Sequence, residues 1–194
     1  MSNTKFNPIL LNFPDSIDSE RLIIRAPRPG DGTLINQAVK ESLAELAPWM
    51  PWAKTAPSVT ESETQIRQSA IRFAERTDLQ LLLFKRDTGS LIGSSGLHRI
   101  NWETRKFEIG YWVHSAYAGQ GYVTEAVHAV TDFAVKEFGA NRIEIRCDAR
   151  NTNSANVAKR AGFVLEGTLR GDSIGVDGTL RDTYVFSKVR GQEF

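Results

Sequence analysis

The chain has one cysteine, Cys147, in 194 residues. An internal disulfide is therefore excluded, and a reducing compartment such as the cytoplasm is the expected home. No apolar run approaches the ~20 residues that a membrane-spanning helix requires. The N-terminus lacks a basic start followed by a continuous apolar stretch, so no secretory signal is read from it. Of three histidines, none has ligand-pair spacing or a neighbouring cysteine, so no metal is expected. Charge of one sign is also missing. The chain carries 24 Lys and Arg against 23 Asp and Glu, for a net charge of +1, and these charges are scattered. A dedicated nucleic-acid surface would need a basic stripe, so neither nucleic acid nor membrane is an expected partner. Repeats and low-complexity tracts are absent as well. What remains is 41% hydrophobic and 24% charged, an ordinary globular composition. A chain of this length buries about two-thirds or more of its unfolded surface in one domain.

Turn and cap signals divide the chain. Residues 1–18 read as an N-terminal leader segment, and residues 19–194 as a single domain. A strand over 21–26 is followed by a helix capped by Asp31 and ending near Ser42, with a short helical continuation to Ala47. Pro48 and Pro51 break the pattern around Trp49 and Trp52. Ser58-Val59-Thr60-Glu61 is a capping box that opens a helix to about Arg76. Apolar stretches over 79–85 and 91–98 flank a turn at 86–90 and form a hairpin. A strand over 107–113 follows, then a helix over 123–138 that stops at Gly139. A strand over 142–148, a short helix over 154–161 and strands over 163–169 and 181–188 complete an α/β (α+β mixed) order. It predicts a mixed sheet with helices on both faces.

The most informative segment is Gly119-Gln120-Gly121-Tyr122, set between the strand at 107–113 and Val123-Thr124-Glu125-Ala126. Glycines let the backbone come close to an anion. The first N–H groups of a helix have no partner inside it and meet a phosphate at the positive end of the dipole. A Walker loop is excluded, because no Lys-Ser/Thr follows the second glycine. A dinucleotide fingerprint is disfavoured by the missing third glycine.

Further motifs accompany this turn: Tyr111-Trp112, Asn151-x-x-Ser154, Gly162-Phe163-x-x-Glu166-Gly167, Glu20-Arg21-Leu22-Ile23-Ile24-Arg25 and Trp49-Met50-Pro51-Trp52. Together they resemble the GNAT superfamily of N-acetyltransferases, and within it the RimJ/RimL branch, which acetylates N-terminal amines of ribosomal proteins. The resemblance runs over nearly the whole chain. It departs at Ala116, where the family turn usually opens with Arg or Gln, and this implies a weakened side-chain contact in a site held mainly by backbone amides. The resemblance implies a mostly antiparallel central sheet splayed in the middle. It also implies acetyl-CoA as co-substrate, no metal, and direct attack by a primary amine in a ternary complex. The acceptor it implies is a protein N-terminus, and a homodimer is a further expectation.

An α-amine titrates near pH 8 and a lysine near 10.4, so an N-terminal acceptor needs only mild general-base help. Glu108 shares a strand face with Gly110 and Trp112, and Asp172 follows Glu166-Gly167; each is a candidate base or an ordinary paired carboxylate. Ser154 is the candidate donor to the departing thiolate, or a helix N-cap. Asn151 would bond the pantetheine amides or organise a turn. A backbone N–H near Trp112 or Val113 would face the thioester oxygen, with Gly110 marking a bulge that permits the splay. The phosphates would lie on Gly119, Gln120, Gly121, Tyr122, Val123 and Thr124, with Lys159 or Arg160 reaching them or simply solvated. Trp49 and Trp52 are acceptor walls or packing. Tyr111 reads as core, and Cys147 as a small buried hydrophobe. Two rivals stand beside the N-terminal acetyltransferase. One is an enzyme for a small amine such as a polyamine or antibiotic, for which Glu41 and Glu45 near the tryptophans speak. The other is a non-catalytic acyl-CoA-binding module.

Overall fold

The computed structural model describes residues 6–194. Its sheet contains β1 (Ser16–Asp18), β2 (Leu22–Arg25), β3 (Leu79–Lys85), β4 (Leu91–Asn101), β5 (Lys106–Val113), β6 (Arg142–Asp148), β7 (Val164–Ile174) and β8 (Leu180–Val189). The spatial order is β1-β2-β3-β4-β5-β6-β8-β7. Every neighbouring pair is antiparallel except β5 with β6. This is the mixed sheet that the order of elements predicts, and it is mostly antiparallel as the family resemblance implies.

The helices are α1 (Gly32–Glu41), α2 (Leu43–Leu46), α3 (Val59–Glu75), α4 (Tyr122–Phe138) and α5 (Thr152–Arg160). They pack on both sides of the sheet, as strand alternation demands. Leu79, Leu81 and Leu83 of β3 join the large core that holds Val127, Val130 and Phe133 of α4 and Ala155 and Ala158 of α5. Leu82 and Phe84 face the other way, into a smaller cluster with Ala38 of α1 and Ile66 of α3.

Local chemistry explains most boundaries. The capping box of α3 is formed: Glu61 N–H donates to Ser58 Oγ at 3.1 Å, and Ser58 N–H donates to a Glu61 carboxylate oxygen at 2.7 Å. Gly139 ends α4 in the left-handed conformation, φ 60°, where glycine has no Cβ penalty. Asp31 precedes α1, but its side chain makes no cap bond. It grips the Arg25 guanidinium through two bonds of 2.7 and 2.8 Å instead, and a bidentate ion pair outcompetes a cap.

The segment 1–18 read as a leader includes residues 1–5, which lie outside the described residues. From Phe13 onward it is integrated. Phe13 packs its ring on Phe73, Phe133 and Phe138, and β1 pairs with β2. The last two strands are longer than their apolar cores suggest, forming an exposed hairpin over 164–189 whose β7 is largely solvent-facing. Polar alternation hides such a strand from a hydrophobicity reading.

Candidate active site

The parallel pair β5–β6 is where the sheet opens. It is bonded only at Lys106–Arg142, Phe107–Ile143 and Glu108–Glu144. Beyond Glu108 the strands part, while β4 stays paired with β5 up to Val113 and β8 stays paired with β6 up to Asp148. His114 N–H donates to Ile92 on the β4 side. Strand alternation then turns the N–H groups of Val113 and Tyr111 towards the gap and that of Trp112 towards β4.

A cleft of about 810 Å³ passes through this opening. On the α1/α3 face its walls include Trp49, Trp52, Asp78, Ser94, His98 and Trp112; on the α5 face they include Tyr111, Cys147, Asn151 and Ser154. Trp52 is 50% exposed and stands edge-on to Trp112 at the rim, with centroids 6.1 Å apart. The two tryptophans of the 49–52 segment thus border the opening on one side.

At the other side α5 starts. Asn151 Oδ1 accepts from Ser154 N–H at 3.0 Å, so Asn151 is the cap and the Ser154 hydroxyl is not needed for capping. That hydroxyl lies 3.0 Å from the Tyr111 phenol oxygen, and the same phenol donates to the Ser154 carbonyl at 2.9 Å. Tyr111 was expected to be core alone. Its ring does pack against the core, but its hydroxyl end reaches the cleft because β6 no longer covers it. Burial pushes the Tyr111 phenol well above its usual range, so it acts as a hydrogen-bonding group and not as an acid. Cys147 is buried, and burial pushes its thiol up, which keeps it protonated and inert.

The two carboxylates singled out from the sequence lie elsewhere. Among the described residues neither Glu108 nor Asp172 belongs to the cleft wall. Glu108 pairs with Arg99 at 3.2 Å; burial raises its carboxyl, and Arg99 only partly opposes this. Asp172 sits on β7 against Arg146 at 3.1 Å. The neighbouring Thr183 hydroxyl and the Arg146 guanidinium hold it below the usual carboxylate range. Lys159 and Arg160 are exposed in the last turn of α5 and outside the cleft wall.

The glycine turn stands where β5 leads through a short 3-10 turn (Ser115–Tyr117) into α4. Gly119 and Gly121 have φ 74° and 83°, the left-handed region that glycine adopts without strain. From Gly119 to Thr124, no backbone N–H has a partner among the described residues. The Thr124 Oγ1 is buried and likewise unpartnered. A buried hydroxyl left unpaired costs about 1–3 kcal/mol, so a ligand with several acceptor oxygens fits this cradle.

Sequence reasoning did not assign Arg21 a role. Its guanidinium donates to the Gln120 carbonyl at 3.1 Å and to Glu125 at 2.7 Å, and it stacks 4.4 Å from the centre of the Tyr122 ring. Glu125 in turn accepts from the Arg21 N–H and the Ser19 hydroxyl, each at 2.7 Å. One side chain from β2's entry thereby fixes carbonyl, ring and helix start of the turn. The partners are about a hundred positions apart, so no local pattern points to the contact. His98 and Asp78 were missed too, since histidine was weighed only as a metal ligand. Among the described residues no group of three or more His, Cys, Asp or Glu is placed to hold a metal ion.

An opened parallel pair, an amide cradle at the following helix and a cleft through the sheet define a site suited to a phosphate-bearing molecule in extended form. Residues 21–164 match the acetyltransferase (GNAT) domain family, and the chain belongs to it: it is an N-acetyltransferase. YdaF of Bacillus subtilis (strain 168), named provisionally as a ribosomal N-acetyltransferase, is 30% identical over 174 residues, 89% of this chain and 93% of its own length. The ribosomal-protein-serine acetyltransferase of Escherichia coli (strain K12) is 31% identical over 126 residues, 63% of this chain and 69% of its own. Among solved structures, the microcin C7 self-immunity acetyltransferase MccE, in complex with acetyl-CoA and AMP, superposes with a TM-score of 0.84 at 24% identity. That match covers 91% of this chain and 97% of the other. It supports the fold.

Proposed function

We propose that this enzyme transfers the acetyl group of acetyl-CoA to the N-terminal α-amine of a protein, by direct attack with both substrates bound. The observation that carries the reading is the run of unpartnered N–H groups from Gly119 to Thr124 beside the opening of β5 from β6. Acetyl-CoA supplies an activated acyl carbon on a thiolate leaving group. The turn would hold its pyrophosphate, with the Thr124 hydroxyl as an added donor. The free edge of β5 would bond the pantetheine arm as an added strand does. Val113 N–H, turned towards the gap, is the backbone donor for the carbonyl oxygen. Asn151 keeps its side-chain NH2 for the arm while its Oδ1 caps α5. Ser154, freed from capping, turns its hydroxyl proton from the Tyr111 oxygen to the sulfur as the thiolate departs.

The acceptor enters from the α1/α3 face, past Trp49 and Trp52. The charged residues on the cleft wall are Glu61, Asp78 and Asp148 against Arg72, Arg146 and Arg181, an even balance with no concentration of carboxylates. A polycationic amine would want such a concentration. Glu41 and Glu45, which favoured that option in the sequence, are turned away: Glu41 holds His114 at 2.9 Å and Glu45 accepts from the Ser115 hydroxyl at 2.8 Å. The names of the two relatives, both referring to ribosomal acceptors, point the same way. No helix of the described residues is long and apolar enough to cross a membrane, and we place the reaction in the cytoplasm.

The test is an acetylation screen with intact ribosomal proteins, unblocked peptides, polyamines and aminoglycosides, read by mass spectrometry. Acetyl groups on protein N-termini are expected. Exclusive labelling of small amines, or acetyl-CoA binding with no transfer to any of them, would overturn the reading.

A further inference from the structure

On the acceptor side of the cleft, His98 Nδ1 lies 2.7 Å from Asp78 Oδ2. A carboxylate at that distance places the proton on Nδ1 and leaves the lone pair on Nε2. Nε2 itself has no partner among the described residues. His98 and Asp78 both belong to the cleft wall. Each side chain is about one-quarter to one-third exposed, so the ring is shielded yet reachable.

The direction of the ring matters most. His98 is on β4 opposite Glu108, and the next pair along the same face is Gly96 opposite Gly110. A Cβ at Gly96 would lie 3.2 Å from His98 Cε1. One at Gly110 would lie 3.0 Å from Cδ2 and 3.3 Å from Nε2. The imidazole therefore lies against the facing pair Gly96 and Gly110, leaning from its own position towards the Ser94–Trp112 pair. That is the end at which β5 stands free of β6. Glu108 cannot reach as far, being opposite the root of His98 and paired with Arg99. Gly110, otherwise costly in a strand interior, is explained by the room it gives the ring, whereas Gly96 is required first by the β3 backbone, where a Cβ would lie 2.5 Å from the Leu79 carbonyl oxygen.

We propose that His98 Nε2 is the proton acceptor for the attacking amine, and that Asp78 is its positioning residue. This rests on the acetyl-transfer reading above. As the amine nitrogen bonds to the acetyl carbon, its proton passes to Nε2. The carbon–sulfur bond breaks with its electron pair on sulfur, which takes a proton from solvent by way of Ser154. The imidazolium then returns its proton to solvent, so the sum is one amide and one thiol. The charged groups around the ring are Asp78, Glu108 on β5, Arg72 from α3, Arg99 on β4 and Arg146 from β6.

The test has two readouts. First, the pH dependence of kcat is measured with saturating acetyl-CoA and an unblocked peptide beginning with serine, for wild type, His98→Gln, His98→Asn, Asp78→Asn and Glu108→Gln. Wild-type kcat should fall as pH drops and the imidazole takes up a proton. Both His98 variants should lose about 100-fold or more at pH 7, with rates still climbing above pH 8 and acetyl-CoA affinity by calorimetry within about twofold of wild type. Second, ring resonances of the substrate-free protein, assigned by their loss in His98→Gln, should show the Nδ1-protonated tautomer in wild type and its loss in Asp78→Asn. Active His98 variants with an unchanged acid limb would overturn the proposal while leaving the acetyltransferase reading intact. So would an acid limb that disappears only in Glu108→Gln, or an Nε2-protonated ring. A wild type that binds acetyl-CoA but acetylates no amine would overturn the functional reading and this one with it.

Discussion

The strand β6 has two edges, and they differ. Along β8 it is paired at all seven of its residues, from Arg142 to Asp148. Along β5 it is paired at three, all at its beginning. The closed edge carries buried Phe186 and Ile145 in the core and the ion pairs of Arg142 with Glu144 and Glu166. The open edge carries unpaired backbone, Tyr111 and Ser154. One strand thus serves two ends: a complete ladder on one side holds the sheet together, so the ladder on the other side can be left incomplete for a ligand to finish. Damage to the closed edge should appear as lost stability, and damage at the open edge as lost binding or turnover.

The largest expected effect is at the open edge. Gly121→Asp imposes an unfavourable left-handed conformation on a non-glycine residue and sets a carboxylate against the pyrophosphate. Acetyl-CoA affinity should fall about 100-fold or more by calorimetry, with a melting temperature lowered by only a few degrees from the backbone strain. At the closed edge, Phe186→Ala should cost about 3–5 kcal/mol of stability in urea unfolding, while the remaining folded fraction keeps its acetyl-CoA affinity. Ser154→Ala should lower kcat by about 100-fold with little change in acetyl-CoA binding, because Asn151 and not Ser154 caps α5. Equal losses in both would return Ser154 to a structural role. Arg21→Ala should loosen the glycine turn and weaken acetyl-CoA binding about three- to tenfold, leaving kcat at saturation close to wild type.

The smallest effect is a pH dependence confined to the closed edge. Glu166 is depressed from 4.5 to about 2, chiefly by its bonds with Arg142. A depressed carboxylate adds stability that is present above its unfolded value and is lost as pH falls through its folded value. Wild type should therefore lose stability between about pH 4.5 and 2, and Glu166→Gln should lose less over that window. The pair is partly exposed, so the difference should be small. Acid unfolding curves of the two proteins check it.

The same contrast explains what the sequence could disclose. The glycine turn was legible because its chemistry is local: Gly119, Gly121 and the first turn of α4 are consecutive. The capping box at Ser58 and the stop at Gly139 were legible for the same reason. Strand periodicity placed β3 to β6, and family resemblance supplied the splay, which no periodicity encodes. Contacts between distant positions were not legible. Arg21 reaches Gln120, Asp78 reaches His98, and Asp31 abandons its cap for Arg25, each through tertiary geometry. Tyr111 showed the limit of alternation: the rule gave its face correctly, yet the missing strand beside it turned a core position into a cleft wall. The pairs of Glu108 with Arg99 and of Asp172 with Arg146 were not legible either, since only tertiary neighbours show which cation a carboxylate meets.

A crystal structure of the protein with acetyl-CoA tests the central claim most directly. The pyrophosphate oxygens should lie about 2.7–3.2 Å from backbone nitrogens between Gly119 and Thr124, with the pantetheine arm running along β5 in the gap that β6 leaves. Electron density for the molecule at any other place, or a gap closed by β6 re-pairing with β5 beyond Glu108, would contradict it.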